Sequence, residues 1–238
     1  DGQRWTSLER YNLMQIKVYK QTADLMRSLA VRVASELDQV LSQKGRATLA
    51  VPGGTTPAFF FEILSTTDLN WPHISVTLTD ERWVPTESPQ SNTGLIQKCL
   101  LVKKAKNANF VGLYESGVTP AEGALILSTR IDQYLPIDVL VLGMGADMHT
   151  ASLFPGAAEL AAAQKSSAPS VVAINPVGNE FEPRVSLSSK ALLTASHTHI
   201  LITGNTKKAA LAKAQNSSIS IAPITQFLPK ATVHWCDK

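Results

Sequence analysis

Val139-Leu140-Val141-Leu142-Gly143-Met144-Gly145-Ala146-Asp147-Met148-His149-Thr150-Ala151-Ser152-Leu153-Phe154-Pro155-Gly156 is the stretch that decides how this chain is read. A short apolar run of strand length ends in small residues. An acid and an imidazole follow, two positions apart, and then a small polar segment able to open a helix. Open α/β sheets place ligands outside the carboxyl ends of their strands. A carboxylate and a histidine delivered there are candidates for acid/base chemistry. The plainer alternative makes Asp147 a helix cap and His149 its chance neighbour.

The alternation of apolar runs and helical spacing continues outward from this segment. Toward the N-terminus, helical spacing over about 22–41 (Leu25, Leu29, Val33, Leu37, Val40, Leu41) stops at Gly45. Residues 47–51 read as a strand, followed by Pro52-Gly53-Gly54-Thr55-Thr56-Pro57 and a helix through Phe59, Phe60, Ile63 and Leu64. A β-branched run at 74–78 leads into Thr79-Asp80-Glu81-Arg82. A helix is expected over about 92–102, a strand near 110–113, and a helix over about 120–134 opened by Pro120. The 137–142 strand comes next. Beyond the central segment, strands are expected at 171–174, 185–187, 199–203 and 232–235, with helices at 205–214 and 223–228. The Ala- and Ser-rich stretch 157–170 is the best candidate for a mobile loop or small insertion. This pattern predicts an α/β fold: a mostly parallel, Rossmann-like open sheet with helices on both faces, and room for a small extra sub-sheet.

Composition narrows the function classes. With 238 residues the chain suits one large α/β domain spanning 1–238. Its 44% hydrophobic and 17% charged residues supply a sizeable core and carry no disorder signature. A net charge of +3, evenly scattered, argues against a nucleic-acid partner and suits a small anionic substrate. Cys99 and Cys236 form neither a CxxC nor a disulfide framework, so a reduced, cytoplasmic protein is expected. No apolar run reaches the roughly 18 residues of a membrane span, and the first residues lack the basic-then-apolar order of a signal peptide. The expected state is a monomer or a small homo-oligomer.

Three further segments share the design of a strand running into a polar loop. Paired Gly53 and Gly54 allow close backbone approach, and the helix start after them favours an anion or sugar hydroxyls. A plain strand-helix turn fits equally, and neither a Walker A loop nor GxGxxG is present. In Asp80-Glu81-Arg82 the guanidinium either pairs with a neighbouring acid or points at a phosphate or developing oxyanion. Ser91-Asn92 reads first as a cap for the next helix. Arg184 precedes one strand, and Lys207 sits in the first turn of a helix after Gly204-Asn205. A lysine there opposes the helix dipole, which makes more sense if an anion binds. His73, His197, His199 and His234 are assigned structural or surface roles. No third ligand completes a metal pair of His197 and His199.

Taken together, these segments resemble the 6-phosphogluconolactonase family. The matching pieces are Gly53-Gly54-Thr55-Thr56-Pro57, Thr79-Asp80-Glu81-Arg82, Ser91-Asn92, the 143–155 segment, the Arg184 strand and Gly204-Asn205-Thr206-Lys207, in the family's order. The resemblance implies hydrolysis of 6-phospho-D-glucono-1,5-lactone to 6-phosphogluconate in the oxidative pentose phosphate pathway, with no cofactor and no metal. By the same resemblance His149 is the general base on a water attacking C1, and Asp147 orients and supports the imidazole. Arg82 stabilises the oxyanion or holds substrate, and Arg184 and Lys207 take the phosphate. The loop of Gly53, Gly54, Thr55 and Thr56, with Asp80, takes the sugar. A histidine near neutral pKa can serve as base and then as acid, and the ester carbonyl is reactive enough to need no metal.

One departure stands out. The family usually has Gly between the acid and the histidine, and here that position is Met148. If it requires positive φ, a methionine is strained there, and the loop sits differently or activity falls. Two rival readings remain at this stage. An amino-sugar-phosphate isomerase/deaminase would continue the histidine loop into Phe-Asn-Glu-Pro, whereas this chain reads Ala151-Ser152-Leu153-Phe154-Pro155. A non-catalytic sugar-phosphate sensor draws weight from Met148, but no helix-turn-helix module accompanies it.

Overall fold

Strands that carry apolar residues on both faces sit in the middle of the molecule, and strands that alternate sit at its edge. The computed structural model describes residues 14–175 and 182–237. In chain order the elements are β1 (Gln15–Tyr19), α1 (Thr22–Lys44), β2 (Ala47–Val51), α2 (Ala58–Leu64), β3 (Ile74–Leu78), β4 (Asp80–Arg82), α3 (Asn92–Cys99), β5 (Asn109–Val111), α4 (Pro120–Asp132), β6 (Val139–Gly143), α5 (Leu160–Ala163), β7 (Val171–Ile174), β8 (Arg184–Leu187), α6 (Ser189–Leu192), β9 (His197–Thr203), α7 (Asn205–Ala214) and β10 (Ala231–Cys236). Seven strands form one parallel sheet in the order β1-β10-β9-β6-β2-β3-β5, and a small antiparallel sheet runs β4-β8-β7. This is the mostly parallel open sheet with helices that the alternation predicts, and the extra sub-sheet is present.

The order of strands places the site. From β2 the chain moves one way, to β3 and β5; from β6 it moves the other way, to β9 and β10. Neighbouring strands whose connections diverge leave a crevice at their carboxyl ends. That crevice lies between the loops after β2 and β6.

Local chemistry explains several element ends. α1 buries Leu25, Leu29, Val33, Leu37 and Val40 and stops at Gly45, which takes φ 72° and donates its N–H to the Leu41 carbonyl. Ser91 caps α3 through Gly94 N–H, and Thr119 with Glu122 forms a capping box on α4 behind Pro120.

Several expectations need correction. No helix opens directly after β6, because Met148 (φ 71°) and Ala151 (φ 48°) are left-handed and interrupt any helical run there. α3 ends at Cys99 rather than near 102, and a 3-10 turn covers Lys103–Asn107. Residues 223–230 form two 3-10 turns instead of one helix. The 157–170 stretch is packed, with Ala157, Leu160, Ala163 and Ala168 buried.

Candidate active site

The crevice at the strand-order switch is an open cleft of about 200 Å³. Pro52, Gly53 and Gly54 after β2 and Gly143, Met144 and Gly145 after β6 form two of its walls. Asp80 and Arg82 on β4, Arg184 on β8, Asn92 at the start of α3, and Lys207 in α7 also line it. Backbone has to come close here. A Cβ on Gly53 would stand 1.9 Å from the Asn92 side-chain oxygen, and one on Gly145 would stand 2.3 Å from both Asp147 Oδ1 and His149 Nδ1.

Between Gly145 and His149 the chain makes a closed loop. Gly145 N–H donates to the His149 carbonyl at 3.0 Å, and Met148 N–H donates to the Gly145 carbonyl at 3.0 Å. Asp147 Oδ1 then accepts from His149 twice, from Nδ1 at 2.6 Å and from the backbone N–H at 3.2 Å. Burial pushes the Asp147 carboxyl up, but the hydrogen bond and the charge of the His149 imidazole outweigh it and hold the group below the usual carboxylate range. An ionised Asp147 accepts a proton-bearing Nδ1. Nε2 is therefore the nitrogen left with a lone pair for chemistry. Met148 takes the positive φ that a glycine would favour, with its side chain in the core.

The small sheet supplies the cations. Antiparallel pairing sets Arg82 opposite Arg184 and Asp80 opposite Ser186. Because side chains alternate along a strand, all four share one face. Asp80 accepts from Ser152 Oγ at 2.6 Å and from Thr79 Oγ1 at 3.1 Å, and lies 3.7 Å from Arg184 Nη1. Arg82 donates Nη1 to Asn92 Oδ1 at 2.8 Å and to the Gln90 carbonyl at 3.1 Å, while its Nε is buried without a hydrogen-bond partner. Glu81 faces the other way and is fully buried. Its carboxylate accepts the N–H groups of Arg82, Asn92 and Thr93 at 2.8, 2.8 and 2.7 Å. Burial pushes this carboxyl up, and those hydrogen bonds offset the shift only in part.

The cleft thus gathers Gly53, Gly54, Thr56, Asp80, Arg82, His149, Arg184 and Lys207 from the residues singled out in the sequence. Asp147 stands behind His149. Thr55 is exposed and does not line the cleft; its carbonyl accepts the Ala58 N–H at 3.3 Å. Asn92, read as part of a cap, turns out to touch both Arg82 and, through Nδ2, the Asp80 carbonyl at 2.9 Å. Its position directly after a capping serine masks that role in the sequence. Among the described residues, no group of three His, Cys, Asp or Glu side chains is arranged to hold a metal. Arg82, Arg184 and Lys207 bring cationic groups into the cleft that are suited to a phosphorylated ligand.

The profile of the family described as glucosamine-6-phosphate isomerases/6-phosphogluconolactonase matches residues 20–235. The chain is 40% identical over 213 residues to the 6-phosphogluconolactonase of Neisseria meningitidis serogroup A, covering 88% of this chain and 92% of that protein. It is 36% identical over 237 residues to the one from Pseudomonas aeruginosa, covering 92% and 94% respectively. The crystal structure of a 6-phosphogluconolactonase from Shewanella baltica superposes with a TM-score of 0.90 at 34% identity, covering 94% of this chain and 97% of that one.

Proposed function

This chain belongs to the glucosamine-6-phosphate isomerase/6-phosphogluconolactonase family, and we propose that it works there as a 6-phosphogluconolactonase, opening 6-phospho-D-glucono-1,5-lactone to 6-phosphogluconate. The observation that carries this reading is the Asp147–His149 pair, 2.6 Å apart, set in a cleft that also holds Arg82, Arg184 and Lys207. His149 Nε2 takes a proton from water as the water oxygen attacks C1, and the imidazolium formed is stabilised by Asp147. Arg82 answers the negative charge that develops on the carbonyl oxygen. Collapse of the tetrahedral intermediate breaks the bond from C1 to the ring oxygen, and His149 returns its proton to that oxygen. The remote phosphate, held by Arg184 and Lys207, fixes C1 against the imidazole, a use of binding energy away from the reacting atoms. The loop of Gly53, Gly54 and Thr56 supports the sugar hydroxyls.

Free thiols at Cys99 and Cys236 suit a reduced, cytoplasmic setting. The lactone also opens unaided, so the test is a coupled assay with fresh lactone made from glucose 6-phosphate, read above the spontaneous rate. The His149→Ala variant is expected to lose about 10²- to 10⁴-fold in kcat, the usual share of a general base. Near-parental turnover in that variant would remove His149 as the base. Release of ammonia from glucosamine 6-phosphate would instead point to the isomerase branch of the family.

A further inference from the structure

Phe154 touches both chemical ends of the cleft. Its ring is 95% buried and lies 4.6 Å from the His149 imidazole, centroid to centroid, tilted by 48°. The guanidinium carbon of Arg184 stands 5.3 Å from the same ring centroid. Both distances fall within the range where aromatic pairs and cation–π contacts act.

We propose that Phe154 is a positioning residue that fixes, through one ring, the imidazole of His149 and the guanidinium of Arg184 relative to each other. The proposal rests on the reading of His149 as base and Arg184 as phosphate ligand. A single hydrogen bond from Nδ1 to Asp147 leaves the imidazole free to swing about that contact, and a second surface against the ring removes the swing. Arg184 is steered from another side by Asp80, 3.7 Å from its Nη1. The phenyl ring faces two groups that are cationic at some point in turnover, and its negative π face suits both.

The backbone under Phe154 is set independently of the ring. Leu153 N–H donates to the Thr150 carbonyl at 2.9 Å, closing a tight turn in which Ala151 is left-handed. Ser152 is pinned on both sides, its Oγ to Asp80 at 2.6 Å and its N–H to Ser186 Oγ at 3.2 Å. The turn is therefore tied to β4 and to β8, the strand that carries Arg184. A substitution that removes only the aromatic face leaves these bonds in place.

The test compares the parent with Phe154→Leu and Phe154→Tyr, with Phe154→Met replacing leucine if that variant does not fold. Three quantities are read: kcat and KM for the lactone, inhibition by inorganic phosphate, and the ¹⁵N resonances of the His149 ring. The leucine variant should lose roughly 10- to 100-fold in kcat/KM, the scale of a small misplacement of reacting groups. Phosphate inhibition should weaken in the same variant, the His149 resonances should move, and tyrosine should restore all three. A leucine variant with parental resonances, or with parental phosphate inhibition, overturns the proposal, as does one that loses only thermal stability. The ring resonances report the contact without turnover. An active His149→Ala protein would therefore sink the base assignment while the resonances still judge Phe154.

Discussion

Met148 holds a backbone conformation that costs an ordinary side chain about 1–2 kcal/mol, at φ 71° between the proposed base and its carboxylate. The methionine side chain is 5% exposed, and burying it returns about 1.5–3 kcal/mol. Its carbonyl also accepts the Ile224 N–H at 3.3 Å, tying the loop to the 3-10 turn at Pro223–Gln226. The strain is thus offset by packing. Replacing Met148 with Ala should cost about 2–5 kcal/mol for the lost burial. Replacing it with Gly should leave a protein roughly 0.5–1 kcal/mol more stable than the alanine variant, the left-handed relief less the greater chain entropy of glycine. Urea denaturation of the two variants decides it; an alanine variant at least as stable as the glycine one would mean that the loop rearranges. The sequence allowed the strain to be posed as a condition, through a glycine position filled by methionine. It could not reveal the compensating burial, because that depends on what packs over the loop. Asn92 was hidden for a related reason: one residue serves a helix start and a cleft wall, and only the first has a local signature.

At the scale of elements, the strand that matters most for chemistry is the one with the least strand-like sequence. β4 is Asp80-Glu81-Arg82, three charged residues whose alternation sends Glu81 into the interior and its neighbours into the cleft. Glu81 joins β4 to the start of α3 by accepting two of that helix's first N–H groups. In Glu81→Gln, one acceptor oxygen becomes an NH₂ that faces N–H donors. The expected loss is about 2–3 kcal/mol of stability, on the scale of a buried hydrogen-bonding group left unsatisfied. A raised KM should accompany it, since Arg82 and Asn92 flank the anchor. A urea midpoint unchanged from the parent would show that water or rotation satisfies the amide. The bounds of β2, β3 and β7 were legible from apolar runs alone; for β2 and β3 the reason is that buried strands of a covered sheet carry apolar residues on both faces. β1 and β4 were not. The first is an edge strand with an exposed, alternating pattern, and the second spends its polar residues on the site.

Across the whole molecule, a chain of polar groups, half-buried at Ser28 and Tyr19 and buried at His234, His199 and Glu36, crosses from α1 through three strands. Ser28 and Glu36 on α1 are its ends. Tyr19 on β1, His234 on β10 and His199 on β9 link them through contacts of 3.0, 2.9, 3.1 and 2.7 Å. With Glu36 ionised, His199 Nε2 donates to its carboxylate, and every other link of the chain lies within hydrogen-bond distance. Burial first, then the charges of His199, Lys17 and Arg32, push His234 down to about 3. Burial raises Glu36, but its bond to His199 and the charges of His199, His197 and Arg32 hold it below the ordinary carboxylate range. Below pH ~6.5 the unfolded chain takes up a proton on His234 that the folded chain refuses until about 3. Stability therefore falls as pH drops through that window. The contribution of Glu36 is lost at the lower end, as pH passes below the ordinary carboxylate value toward its depressed one. One proton is worth about 1.4 kcal/mol per pH unit, so moving from pH 6.5 to 5 should cost about 2 kcal/mol. Urea midpoints across pH should show the slope, and His234→Gln should flatten it from a lower plateau. A slope unaltered in that variant would place the acid sensitivity elsewhere.

Thr79 is the single residue between β3 of the large sheet and β4 of the small one. Its N–H donates to the Val51 carbonyl at the end of β2, and its carbonyl accepts the Leu187 N–H at the end of β8. One residue thus bonds to the end of β2 in the large sheet and to the end of β8 in the small one, joining the two sheets at that seam. The loop that carries His149 is bonded to the small sheet as well, through Ser152 to Asp80 and Ser186, so the imidazole and the arginines are set relative to each other before a ligand arrives. Each arriving ligand meets jaws of fixed gape, and its binding energy is not drawn off in bringing those walls together.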